Sequence, residues 1–391
     1  MSSRDFSLRL SAFNAVLFLG SGVQLPFLPL WLQDRGLDAA SIGLVVAAMT
    51  AIRIIAIPAG TYLADRLGGR RRIVVVSTTL SFACYLVLAF MPDFWPILVT
   101  AIVAAALFAP VAPLTEVLAI TGSTHHGIDY GRIRLWASLS FLTGSLLSGA
   151  LLEIVPVSMV IGLIAGAQGL GCLAAFLLPA DPGQPETQVK PVRAGEVVTV
   201  VTGGTFLVFL LATGLGQASH GFLYAFGSVY FDHLGYGKLT IGALWAAGVL
   251  AEVTMFAFSN RFFARFGARR LMAIGVGCGL VRWCIIGLAP PLPIVFAAML
   301  LHAGSFGLTH LGTMHYIRQN VPANMRNSAQ GVHAALSGGV LLSAFMWGAG
   351  PLYGALRGEA FFVMAAFSAV ALGFAVALVR INPTSGDRVA T

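Results

Sequence analysis

The chain is a series of long apolar stretches separated by short polar ones. Twelve of them are long enough to cross a bilayer as a helix, which takes about 20 residues. They run over 10–31, 41–63, 73–91, 95–121, 132–153, 157–178, 200–230, 239–260, 270–289, 292–317, 328–353 and 360–380. A membrane barrel would need short segments of alternating polarity, and the sequence has none. The pattern predicts an all-α membrane protein with twelve transmembrane helices. Pro26, Pro29, Pro58, Pro110 and Pro113 fall inside these spans. Membrane helices tolerate proline because neighbouring groups satisfy the backbone it frees. The stretch 10–31 runs into a charged loop without a small-residue cleavage site, so it reads as the first span and not as a cleaved leader.

Composition agrees with this reading. Of 391 residues, 58% are hydrophobic and 10% charged, against about 25% charged in a soluble domain. Mean hydropathy is +0.87. The net charge of +8 would point to nucleic acid in a soluble protein, but its distribution points elsewhere. With both termini inside, 18 of the 23 lysines and arginines fall on the inner side. Arg35, Lys238 and Arg357 fall outside, and Arg53 and Arg282 lie within spans. This is the positive-inside pattern. It implies a multi-pass membrane protein, with lipid and a small molecule as partners and no nucleic acid; a monomer is expected. Cys84, Cys172, Cys278 and Cys284 all lie in apolar runs, which suits buried thiols better than a disulfide framework or a metal site.

The segment 179–198 is rich in proline and polar residues and reads as a cytoplasmic linker between a six-helix bundle over 1–178 and another over 199–391. The two halves show a faint repeat. DRLGGRRR at 65–72 follows the second span and ARFGARR at 264–270 follows the eighth, an offset of 199 residues. At that offset Arg53 falls on Glu252, Glu116 on His315 and Arg134 on His333.

Charges inside apolar runs are costly and are functional by default. Glu116 and Arg134 come first, on the fourth and fifth spans. They form either a structural ion pair or a substrate site, in which the planar fork of Arg134 meets a carboxylate or hydroxyl. Glu252, Arg282 and His302 pose the same choice in the second half, between a static clamp of the eighth and ninth spans and a proton site. A low-dielectric surrounding favours the protonated carboxyl and a nearby guanidinium favours the ionised one, so a carboxylate moved between the two takes up and releases a proton. Arg53 is a candidate for a substrate anion or for a structural contact. Trp136 and Tyr224 are candidates to pack against an aromatic substrate, with helix packing or lipid contact as the alternative. His310 is a candidate cavity residue. His302, His310 and His315 share a span but not one tight face. His220 and His333 read as ordinary helix–helix hydrogen bonders. With Arg53, Arg134 and Arg282 set against Glu116 and Glu252, the spans carry one surplus positive charge. That favours an anion entering with a proton over a cationic drug leaving.

TYLADRLGGRRR (61–72), APLTEVLA (112–119), DYGRIRLWAS (129–138), LWAAGVLAEVTMFAFSNRFF (244–263), GLVRWCIIG (279–287) and LLHAGSFGLTHLGTMHYI (300–317) together resemble the major facilitator superfamily, and within it the phenylpropionate permease family. That family is related to the lactose permease and nucleoside–proton symporter branches. The resemblance implies two six-helix pseudo-repeats in the major facilitator fold, set in a cell's inner (cytoplasmic) membrane. It implies a gate motif at Asp65, Arg66, Gly68, Arg70 and Arg71, with Thr61 where the first glycine is usual and Ala264 in place of the acid in the second copy. It implies substrate contacts at Glu116 and Arg134 and a proton-coupling role for Arg282 and His302. The acid expected one turn after that histidine is missing, since Ser305 stands there, and the acid of the eighth span is displaced to Glu252. The expected function is proton-coupled symport of a small organic acid, favouring an aromatic one, by alternating access. No cofactor is expected, and the coupling ion is a proton, with sodium left open. A proton-antiport exporter of drugs or metabolites, or a nucleoside or sugar symporter, is the alternative in the same fold. No nucleotide loop or nucleophile–base pair suggests an enzyme.

Overall fold

The structure, a computed structural model, describes residues 2–67, 69–128, 130–179 and 194–381. All regular structure among them is helical. We number the long helices α1 (Ser3–Asp34), α2 (Ala39–Leu67), α3 (Arg70–Leu88), α4 (Phe94–His126), α5 (Tyr130–Leu151) and α6 (Val157–Phe176) in the first half. The second half has α7 (Gly204–His233), α8 (Lys238–Ala257), α9 (Arg261–Gly287), α10 (Leu292–Asn320), α11 (326–356) and α12 (Ala360–Arg380). Ten helical runs among the described residues are long and apolar enough to span a membrane. One of them, Ala323–Arg380, turns at Arg357, where φ is 48°, and holds both α11 and α12. With α5 added, the arrangement is consistent with the twelve expected rods. Gly68 of the gate motif and most of the 179–198 linker lie outside the described residues.

Several rods are not uniform. α2 is interrupted at Ile52, α4 at Ala109 and Pro110, and α7 between Ala218 and Gly221. At Pro110 the break has a local cause, because proline has no N–H for the helix ladder. α10 and α11 each contain a π-helical stretch, at Ala303–Leu308 and Ala335–Leu341. Such stretches loosen the ladder and are frequent at functional sites. Gly267 has φ +70°, a backbone conformation that side chains rarely adopt. It lies one repeat length after Gly68.

Packing divides the chain into two compact units: Met1–Glu186 with Tyr224–Ala246, and Thr187–Leu223 with Ala247–Thr391. In the first unit α1 and α5 cross closely. A Cβ at Gly22 would collide with the Phe141 carbonyl, and one at Gly144 with the Leu19 carbonyl. The Ser145 hydroxyl donates to the Gly22 carbonyl at 3.0 Å. Close backbone approach through small residues is the usual way helices pack where lipid removes the hydrophobic drive between them. A buried cluster including Phe6, Leu10, Phe13, Val111, Leu114 and Ile133 fills one end of this unit. The segment 224–246 packs in the same unit, where the Glu153 carboxylate accepts from the Leu239 N–H at 2.9 Å. The second unit has its own cluster, built around Phe209, Met272, Tyr316 and Leu378.

Gly144→Ala is expected to lower the thermal unfolding midpoint in detergent, costing about 1–3 kcal/mol through overpacking. At Gly162 a Cβ meets only open space, so Gly162→Ala is expected to hold or raise the midpoint, by about 0.5–1 kcal/mol of helix propensity.

Candidate functional site

The second unit brings three of the sequence candidates into one hydrogen-bonded chain. Gly275, Gly279 and Arg282 share a face of α9 at helical spacing. The glycines let α10 come close: a Cβ at Gly275 would collide with Thr309, and one at Gly279 would touch Ser305. That approach sets Arg282 against the start of the π stretch of α10. Arg282 is 1% exposed. One of its amino groups reaches His302 Nδ1 at 3.1 Å and Ser305 Oγ at 3.4 Å. The other reaches Met299 Sδ at 3.2 Å. The guanidinium carbon lies 4.7 Å from the centroid of the Trp283 ring, close enough for a cation–π contact. His302 Nε2 lies 3.1 Å from a Glu252 carboxylate oxygen. On the other side His220 Nε2 lies 3.1 Å from Ser305 Oγ, and His220 Nδ1 lies 3.2 Å from the Gln217 carbonyl. Trp283 donates to Ser219 at 3.0 Å.

Donor and acceptor rules orient this chain. A guanidinium has donors only. His302 Nδ1 must therefore accept from Arg282, which leaves the ring proton of the neutral histidine on Nε2, aimed at Glu252. A carbonyl only accepts, so His220 carries its proton on Nδ1, facing Gln217. In a neutral ring its Nε2 accepts from the Ser305 hydroxyl, whose lone pair faces Arg282. In their neutral forms the two histidines are of opposite tautomer. A second proton on His302 Nδ1 would set two donors face to face. Glu252 is the more accessible end, its side chain being 19% exposed against 11% for His302.

His302, Phe306 and His310 form a stack along α10, with ring centroids 5.2 and 6.1 Å apart. Spaced four residues apart, the three rings follow one another along one stripe of the helix. His310 is half-buried. His333 bonds Thr213 at 3.0 Å, and His315 stacks on Phe263 at 3.7 Å. Sequence reasoning missed Ser305 and His220 as members of the network. Their signal was present only as a serine where an acid is usual and as a polar point in an apolar helix.

In the first unit, Glu116 accepts the hydroxyl of Tyr130, a partner the sequence did not single out. Arg134 lies over the Phe18 ring, 5.0 Å from its centroid. Glu116, Arg134 and Arg53 are exposed. Trp136 is 49% exposed. It lines a cavity of about 660 Å³ together with Arg4, Ser3, Ser7 and Ser11. Tyr224 packs near Trp245, ring centroids 6.0 Å apart. Of the gate motif, Asp65 pairs with the buried Arg70 at 3.6 Å, and Arg71 donates to the Phe176 carbonyl at the end of α6 at 2.7 Å. Arg66 is exposed. In the second unit Arg269 donates likewise to the Ile381 carbonyl after α12. A cation at a helix C-terminus meets the negative end of its dipole. Among the described residues no group of three or more His, Cys, Asp or Glu is placed to hold a metal ion.

The model of the MFS_1 like family matches residues 7–371. The chain is 31% identical over 360 residues to a probable 3-phenylpropionic acid transporter of Escherichia coli, covering 89% of this chain and 91% of that one. It is 24% identical over 283 residues to the quinolone resistance protein NorA of Staphylococcus aureus, covering 70% of each. Its fold is similar to the crystal structure of the nucleoside transporter NupG, with a TM-score of 0.84 at 15% identity, over 96% of this chain and 100% of that one.

Nitrogen-15 NMR of histidine-labelled protein at neutral pH is expected to report the Nε2–H tautomer for His302 and the Nδ1–H tautomer for His220, assigned by single substitution. Arg282→Met is expected to release the His302 preference and leave that of His220, which the Gln217 carbonyl holds.

Proposed function

The chain belongs to the MFS_1 like family, and from that membership we propose that it is a proton-coupled symporter bringing a small, aromatic organic acid into the cell. It is a multi-pass membrane transporter of the major facilitator superfamily and not an enzyme. The finer reading rests on one observation, the chain Arg282–His302–Glu252. It joins a carboxylate with some access to a cation that has almost none.

In this reading Glu252 carries the proton. While ionised, it is held by the His302 Nε2–H and, through that ring, answers the charge of Arg282. Protonation removes the charge on Glu252 and weakens that tie, since a hydrogen bond to a neutral acceptor is about half as strong as one to an ion. Arg282 must then be answered differently, so the helices that carry these groups, α8, α9 and α10, have reason to shift. Alternating access between two six-helix halves would turn that shift into transport. Arg134 and Glu116 bind the substrate, with Arg53 supplying further positive charge and Trp136 and Tyr224 apolar walls. A carboxylate fits the planar fork of an arginine, and the Phe18 ring that Arg134 covers is an aromatic surface beside it. The likeness to a probable 3-phenylpropionic acid transporter supports that class. The membrane is the cytoplasmic one and both termini are cytoplasmic, a reading that the cation distribution supports.

Proteoliposomes loaded with a pH-sensitive dye test this reading against aromatic and aliphatic carboxylates, nucleosides and sugars. Internal acidification with 3-phenylpropionate or a related aromatic acid is expected. Arg134→Ala is expected to reduce uptake about tenfold or more, the usual effect of losing a hydrogen bond to a charged group. Glu252→Gln is expected to abolish accumulation driven by a proton gradient while substrate exchange at equal concentrations persists. A response to lipophilic cations alone, under an imposed gradient, would replace symport by export.

A further inference from the structure

Ser305 stands where the resemblance leads one to expect a carboxylate, one turn after His302. The structure puts a neutral pair there instead. The Ser305 oxygen lies between Arg282, at 3.4 Å, and His220 Nε2, at 3.1 Å. Both are buried, His220 at 1% exposure and Ser305 at 2%. His220 is fixed in turn by the Gln217 carbonyl, and its ring meets Trp283 edge-on, centroids 5.1 Å apart. It sits at the interruption of α7, between Ala218 and Gly221. The charged or titratable groups facing it are Arg282 from α9 and His302 from α10. Glu252 of α8 lies beyond His302.

An isolated serine hydroxyl beside a guanidinium is a weak anchor, because it can turn its hydrogen toward the cation. Here it cannot do so without giving up its bond to His220. The histidine thus selects the orientation in which a serine lone pair faces Arg282. We propose that His220 is a positioning residue of the coupling site, acting through Ser305 to hold Arg282 where it reaches His302. A second arm therefore supports the guanidinium without adding a second negative charge. Through His302 this chain of hydrogen bonds reaches the carboxylate of Glu252, so its protonation is the event Arg282 registers. An acid at position 305 would answer Arg282 whether or not Glu252 were protonated.

The inference rests on the proton-symport reading, and the experiment separates the two. In proteoliposomes, 3-phenylpropionate accumulation driven by a proton gradient is compared with its counterflow exchange, which needs no net proton movement. The variants are His220→Leu, Ser305→Ala and His220→Gln, whose amide oxygen accepts from Ser305 in place of Nε2. His220→Leu and Ser305→Ala are expected to lose accumulation about tenfold, as for a hydrogen bond to a charged group, and to keep counterflow within about twofold. His220→Gln is expected to restore accumulation. Wild-type counterflow without proton-driven accumulation would overturn the symport reading and this inference with it. Given wild-type coupling, three results would overturn the inference alone. One is full accumulation in His220→Leu. Another is a His220→Gln variant as impaired as His220→Leu. The third is loss of counterflow together with accumulation in both His220→Leu and Ser305→Ala, which marks a merely structural role.

Discussion

A guanidinium buried to 1% exposure is the constraint on which the second unit turns. Taking such a charge out of water costs several kcal/mol even after relaxation, so the two amino groups of Arg282 need partners. The answers come from α9 itself, through the Trp283 face, and from α10, through His302, Ser305 and Met299. They require α10 to lie close to α9, which the glycines at 275, 279 and 304 permit. They also require α10 to present His302 and Ser305 on one side, at the edge of its π stretch. Two of the irregular helices, α7 and α10, deliver His220 and His302.

The charges within the spans are placed differently in the two units. In the first, Arg53, Glu116 and Arg134 are exposed, Glu116 is engaged by Tyr130, and Arg134 rests on Phe18. In the second, charge is enclosed and relayed through neutral rings. Exposed charges suit a ligand that arrives and leaves, since their solvation can be exchanged for contacts. Enclosed charges suit a proton, which needs only a change of state at one carboxylate. Substrate handling by the first unit and proton handling by the second follow as the proposed division of labour.

Much of the architecture was legible in the residues. Apolar runs of bilayer length located the helices, and the Arg-rich loops after α2 and α8 exposed the repeat. Arg282, Glu252 and His302 stood out because charged or titratable groups inside apolar helices are rare. What the pattern could not show was geometry set by irregular backbone. The π stretches at Ala303–Leu308 and Ala335–Leu341 leave no mark on hydrophobic periodicity. Ser305 looked like a missing acid, and His220 like a routine interhelical contact. Their pairing joins residues 85 positions apart, which no local pattern encodes. Tyr130 was passed over for the same reason: an aromatic at the start of a span is common and carries no sign of the carboxylate 14 residues earlier that it engages.

The central claim is that a single carboxylate, Glu252, takes the proton. Infrared difference spectroscopy of the reconstituted protein, recorded across a pH step with and without 3-phenylpropionate, measures this directly. The predicted result is a carbonyl-stretch band of a protonated carboxylic acid that grows as pH falls, changes with substrate, and is absent in Glu252→Gln. A band that persists unchanged in Glu252→Gln, or no substrate-linked change in any carboxyl band, would contradict it.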